Sequence, residues 1–162
     1  MPFRNRRVVT GLNGEGKSCI VSDTTIDRIP GCNGIPVVAW QTDAYPISNA
    51  GNDECAGPFS AGTFGKSSAL ILFSPTDAAE PPAWHVTDTI DYVVVLTGRV
   101  LLEMETGKAE LGPGDLIVDR GVVHSWRNAG AEPAVLAGVI IPAEPVQPGG
   151  HPEANFDRYI RE

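Results

Sequence analysis

The chain has 162 residues, 42% hydrophobic and 20% charged, with 12 Lys and Arg against 20 Asp and Glu for a formal net charge of −8. That length suits a single domain, 1–162, able to bury a core without metal or disulfide staples. An acidic surface repels phosphate backbones and anionic lipid, so nucleic acid and membrane are poor partners, and no apolar run approaches membrane-spanning length.

In chain order, Arg4, Arg6 and Arg7 form a small basic cluster, too few charges for a binding surface. Strands are expected at 6–10 and 18–23, joined by a glycine-rich tip. The tip, Gly11 to Ser18, satisfies the G-x-x-x-x-G-K-[ST] pattern of phosphate-binding loops. That loop works only where a helix follows it, and the residues after Ser18 are short and β-branched, as in a strand. Asn13-Gly14 is a turn signal, so the segment reads as a β-hairpin arm. A further strand is expected at 36–42. The polar stretch 43–61 reads as a long loop over the mouth of whatever follows. Cys19, Cys32 and Cys55 are odd in number and form no C-x-x-C pair, so neither a disulfide framework nor a zinc site is supported. A reducing cytoplasm is the expected location, since the N-terminus carries no signal-peptide apolar stretch.

Strands resume at 68–73, 90–96, 100–105, 109–111, 116–119, 124–127 and 134–141. Turns separate them at Thr106-Gly107, at Gly112-Pro113-Gly114-Asp115 and at Asn128-Ala129-Gly130. Short strands at this spacing indicate an all-β antiparallel barrel or jelly roll. The arm and loop occupy 1–61, the barrel core 62–142 and a Pro-rich tail 143–162. Within the tail, residues 153–161 read as a short C-terminal helix with Phe156, Tyr159 and Ile160 on its apolar side.

Two segments carry chemistry. In a strand, side chains at i, i+2 and i+4 share a face. His85, Thr87, Thr89 and Asp91 therefore fall on one side of the first segment, and His124, Trp126 and Asn128 on one side of the second. Two imidazoles and a carboxylate converge if the segments face each other inside a barrel. Asp91 sits beside Val93 and Val95, where an isolated charge is costly and calls for a metal, an arginine or a histidine. Trp126 is an aromatic wall of the pocket or ordinary core packing. Thr87 offers a hydroxyl, and Arg120 is placed to meet a substrate carboxylate or to pair at the surface. Trp40, Trp84 and Tyr92 read as packing, Asp88 as a solvated loop acid, and His151 has no assigned role.

The spacing resembles the two motifs of the cupin superfamily over residues 62–142. His85, Thr87, Asp91 and Gly98 fall on the first motif, with Thr in place of its second histidine and Asp in place of its glutamate. Gly121, His124 and Asn128 fall on the second, where Asp119 stands at the usual proline. The resemblance implies a metal site of His85, Asp91 and His124 holding a divalent transition metal (Fe, Mn, Zn or Ni), with open positions for water, oxygen or substrate. The leading expectation is a metal-dependent lyase, decarboxylase or isomerase-like enzyme acting on a small oxygenated carbon compound. Asp91 and His124 are its catalytic residues, and Thr87, Trp126 and Arg120 contact substrate. An iron(II) dioxygenase on the same site and a non-enzymatic small-molecule-binding or sensor barrel stand as alternatives. A homodimer is expected, because a two-stranded arm without its own core must pack on this barrel or a neighbour's.

Overall fold

The computed structural model describes residues 6–28, 35–42, 46–60, 63–64, 68–75, 79, 81–146 and 157–158. The hairpin arm is formed by β1 (Arg6–Leu12) and β2 (Ser18–Thr25), antiparallel, with register irregularity between Val9 and Thr10. Its tip is closed by Asn13, whose Oδ1 accepts the backbone N–H groups of Glu15 at 2.9 Å and Lys17 at 3.0 Å. Those amides are the ones a phosphate would need, so the loop serves the hairpin and no helix follows it.

The arm is anchored by Arg7, which is only 9% exposed. Its Nη1 donates to the Ala39 carbonyl at 2.9 Å and to Glu54 Oε1 at 2.7 Å, and its Nη2 donates to Glu54 Oε2 at 2.5 Å. The guanidinium also sits 5.8 Å from the Trp40 ring. A bidentate, partly desolvated pair of this kind is directional. It fastens the arm to the barrel of its own chain.

The remaining strands are β3 (Val37–Thr42), β4 (Gly57–Pro58), β5 (Ser68–Phe73), β6 (His85–Val86), β7 (Thr89–Thr97), β8 (Val100–Met104), β9 (Gly107–Leu111), β10 (Leu116–Asp119), β11 (His124–Asn128), β12 (Val135–Pro142) and β13 (Asp157–Arg158). They build a six-stranded sheet of order β10-β7-β12-β5-β3-β4 and a five-stranded sheet of order β13-β6-β11-β8-β9. All pairings are antiparallel except β13 with β6. This is the expected all-β jelly-roll architecture. At 157–158 a strand replaces the expected C-terminal helix, and the rest of 153–161 lies outside the described residues.

The core lies between the two sheets, as strand alternation requires. Val93 and Val95 of β7 are buried while Tyr92 just before them is 48% exposed. They pack with Val100 of β8, Trp126 of β11 and Leu136 of β12. A second cluster joins Val38, Phe64, Ile71 and Ile140. Burying each such side chain contributes about 1.5–3 kcal/mol, and the first cluster, drawn from both sheets, holds them together.

Candidate functional site

Neither chemical segment is one continuous strand. The first breaks at Thr87-Asp88, with His85 on β6 in the five-stranded sheet and Asp91 on β7 in the six-stranded sheet. The second breaks across residues 120–123, with Asp119 on β10 in the six-stranded sheet and His124 on β11 in the five-stranded one. The single shared strand face expected for His85, Thr87, Thr89 and Asp91 is therefore replaced by two corners that cross between sheets. The convergence survives, because the corners pair with each other. His85 is the register partner of His124, and Asp91 is the register partner of Asp119. Directly opposed residues share a face and lie within side-chain reach.

Gly121 lets the corners meet. Its φ is +67°, and a Cβ there would stand 2.5 Å from the Thr87 carbonyl oxygen and 2.9 Å from that of Thr89. Only a residue without a side chain takes that backbone conformation at that approach.

His85, Thr87, Asp91 and His124 line a cavity of about 220 Å³. Its apolar walls include Phe59, Phe64, Phe73, Val93 and Trp126. Phe59 follows β4, so the expected loop over the barrel mouth does supply a wall. Phe59 and Phe64 meet edge to face at 5.5 Å, as do Phe73 and Trp126 at 6.1 Å. Arg120 is elsewhere: it is exposed and borders a separate depression with Met104, Ile117 and Val146.

The two imidazole rings lie 4.2 Å apart. His85 Nδ1 is 2.9 Å from the Ala83 carbonyl, and His124 Nδ1 is 2.8 Å from the Val122 carbonyl. A carbonyl only accepts, so each Nδ1 carries the proton and each neutral ring keeps its lone pair on Nε2. His124 Nδ1 is also 2.9 Å from Asp119 Oδ2, with both side chains 4% exposed or less. Asp119 Oδ1 in turn accepts the N–H groups of Gly121 at 3.0 Å and Val122 at 3.4 Å. The hydroxyls of Thr87 and Thr89 are 2.7 Å apart, and both residues are buried.

The four titratable groups are driven apart in pairs. Burial pushes Asp91 up to about 6, against a hydrogen bond from Thr89, and the charge of Asp119 adds to the rise. Burial would also raise Asp119, but hydrogen bonding and attraction from His124, with the two backbone amides, bring it below its ordinary value. Burial lowers His85, and the charge of His124 lowers it further. Burial would lower His124 as well, yet the hydrogen bond and charge of Asp119 outweigh it and the net direction is upward. Each pair thus has one member suited to hold a proton near neutrality and one suited to release it.

Asp119 is the functional residue the sequence reading passed over. Its signal was there: an acid at the motif's usual proline, five residues before the histidine.

The donor set suits a divalent transition metal in its chemistry. Both imidazoles line one cavity, His124 is backed by a carboxylate, and Asp91 Oδ1 is buried without a hydrogen-bond partner. Among the described residues, no three His, Cys, Asp or Glu side chains are grouped as a metal-binding cluster. No helix among them is long and apolar enough to cross a membrane.

Comparison with known proteins places residues 69–141 in the family described as a Cupin domain. Oryzines biosynthesis cluster protein J of Aspergillus oryzae is 48% identical over 48 residues, covering 29% of this chain and 27% of that protein. Phomopsin biosynthesis cluster protein C' of Diaporthe leptostromiformis is 47% identical over 45 residues, covering 27% of this chain and 24% of that protein. The chain thus spans about a quarter of the length of these curated relatives. Among solved structures, a cupin protein from Bacteroides fragilis is similar with a TM-score of 0.42 and 15% identity, over 51% of this chain and 71% of that one.

Proposed function

Because the chain is a cupin superfamily protein, we propose that its cavity is an enzyme active site moving protons on a small oxygenated carbon compound, in lyase or isomerase fashion. The observation that carries this reading is the cross-strand pairing of Asp91 with Asp119 and of His85 with His124, which splits like groups into unlike ones. Asp91, held near 6, is ionised at neutral pH yet more basic than a solvated carboxylate. It takes a proton from carbon next to a carbonyl. His124, whose affinity for protons is raised by Asp119, donates to the substrate oxygen. Returning the proton at the neighbouring carbon, while the other hydroxyl of the enediol gives its proton back to His124, completes an isomerisation; donating it to a departing β-hydroxyl, while the enol gives its proton back to His124, completes an elimination of water. General acid–base pairs of this kind contribute about 10²–10⁴-fold each. Thr87 and His85 Nε2 offer polar contacts that orient the substrate, and Trp126 packs against it.

A second reading rests on the partnerless Asp91 Oδ1 and the two imidazoles that line the same cavity. In it His85, Asp91 and His124 hold a divalent metal (Fe, Mn, Zn or Ni), which when bound would polarise a substrate oxygen or, as iron(II), support oxygen chemistry. The homodimer expected from the arm remains a proposal, checked by light scattering.

The test is hydrogen exchange. Small ketones and α-hydroxyketones are incubated with protein in D₂O and followed by NMR, alongside metal analysis of the same sample. Deuterium incorporation lost in Asp91→Asn and in His124→Gln, with and without chelator, supports the acid–base reading. Exchange that needs stoichiometric metal moves the conclusion to the second reading. Exchange equal in both variants and wild type overturns both.

A further inference from the structure

Resting on the catalytic reading of this cavity, we infer that its substrate is an uncharged molecule built on a single aromatic or similarly flat ring, bearing the oxygen on which the site acts.

The charge balance comes first. The described lining residues include no lysine or arginine. Among the described residues, Arg7 pairs with Glu54, Arg99 with Glu110 and Arg127 with Glu103. Arg120, the one residue whose position in the sequence suggested an anion contact, opens onto the separate depression. What faces the cavity instead is Asp91, with Asp119 directly beside it in register and bound to the back of His124. A carboxylate or phosphate entering this space meets the buried Asp91 and, among the described lining residues, no lysine or arginine, which is a costly arrangement for a desolvated charge.

Shape gives the second half. Four aromatic side chains line the space, in two edge-to-face pairs contributed by different parts of the chain. Phe59 follows β4, Phe64 lies between β4 and β5, Phe73 comes from β5 and Trp126 from β11. Aromatic walls reward a flat, polarizable guest beyond simple area burial. A dry cavity of about 150 Å³ accommodates benzene. At about 220 Å³, this one takes a ring with one or two short substituents. The polar groups lie together at His85, Thr87, Asp91 and His124, so the guest carries its carbonyl or hydroxyl at one end and hydrocarbon at the other.

The test uses calorimetric binding to wild-type protein, chelated and then supplemented with Zn²⁺ or Mn²⁺. The probes are three molecules of matched size: 4-hydroxyacetophenone, 4-hydroxybenzoate and an aliphatic hydroxyketone. The inference expects the neutral aromatic ketone to bind about tenfold or more tighter than either competitor. It also expects Asp91→Asn to narrow the gap between ketone and benzoate by admitting the anion. Equal or tighter binding of the benzoate overturns the charge argument, and equal binding of the aliphatic probe overturns the aromatic one. Both are equilibrium measurements, so their failure is distinct from failure of the proton-transfer reading, which the exchange experiment decides without reference to affinity.

Discussion

Replacing Asp91 by asparagine will shift the stability of the metal-free protein by an amount that grows with pH, from a small loss in acid to a gain above neutrality. The carboxyl rises from 3.8 to about 6 on folding, chiefly through burial. A folded-state value above the unfolded one means the native protein binds the proton more tightly, so stability falls as pH climbs from about 4 to about 6 and the full cost persists above that. At 1.4 kcal/mol per tenfold, the cost at pH 8 is about 3 kcal/mol. Asparagine keeps an oxygen for Thr89 but brings a buried amide that needs an acceptor, a loss of about 1 kcal/mol at every pH. The variant is therefore slightly less stable than wild type at pH 4 and about 2 kcal/mol more stable at pH 8. For a chain of this length that corresponds to about 4–8 °C in Tm. Urea unfolding with chelator, at pH steps between 4 and 8, gives the stability difference directly. The quantity to watch is its change with pH, about 3 kcal/mol, because constant packing effects cancel from it. A difference that stays flat within about 1 kcal/mol over that range refutes the claim that Asp91 is a buried, strained charge.

Other outcomes follow from the same geometry. If turnover is found, kcat/KM should rise as Asp91 ionises near 6 and fall at higher pH as His124 loses its proton. In Asp119→Asn that alkaline limb should move to lower pH, because burial of His124 is then opposed only by the Val122 carbonyl and the charge of Asp91; NMR titration of the imidazole reads the same displacement without substrate. The pair also has a stability signature. The contribution of His124 is complete below about pH 6.5 and fades as pH rises through its raised folded value, while that of Asp119 is complete above about pH 4 and fades on acidification through its lowered one. Gly121→Ala should cost about 3 kcal/mol, combining a left-handed backbone with a clash against the Thr87 and Thr89 carbonyls, and circular dichroism melting should show it. Arg7→Met should cost about 2 kcal/mol and expose the arm to limited proteolysis, because it removes both the Glu54 pair and the bond to Ala39.

Much of the fold was legible from the residues. Alternation in Val93-Val94-Val95, the Asn13-Gly14 turn and the β-branched run after Ser18 are local signals, and backbone sterics translate them directly into strands and a hairpin. The pocket residues His85, Asp91, His124 and Trp126 were legible for the same reason, since a polar group among inward-facing apolar ones must meet a partner. The break at Thr87-Asp88 was not legible, because leaving one sheet for another is decided by which neighbour the strand pairs with. Nor was the role of Asp119 visible. It depends on the register that sets it opposite Asp91 and on a turn that brings His124 Nδ1 within 2.9 Å. Arg120 shows the converse: four residues before His124, it borders a depression separate from the cavity that His124 lines, because the chain leaves β10 there. The sequence by itself determined an all-β jelly roll and the residue types available to its cavity, since side-chain alternation and turn chemistry act over a few residues. Tertiary structure alone decided which acids and imidazoles oppose each other, and so which member of each pair holds its proton, because desolvation and charge coupling arise only when distant strands come within a few ångströms.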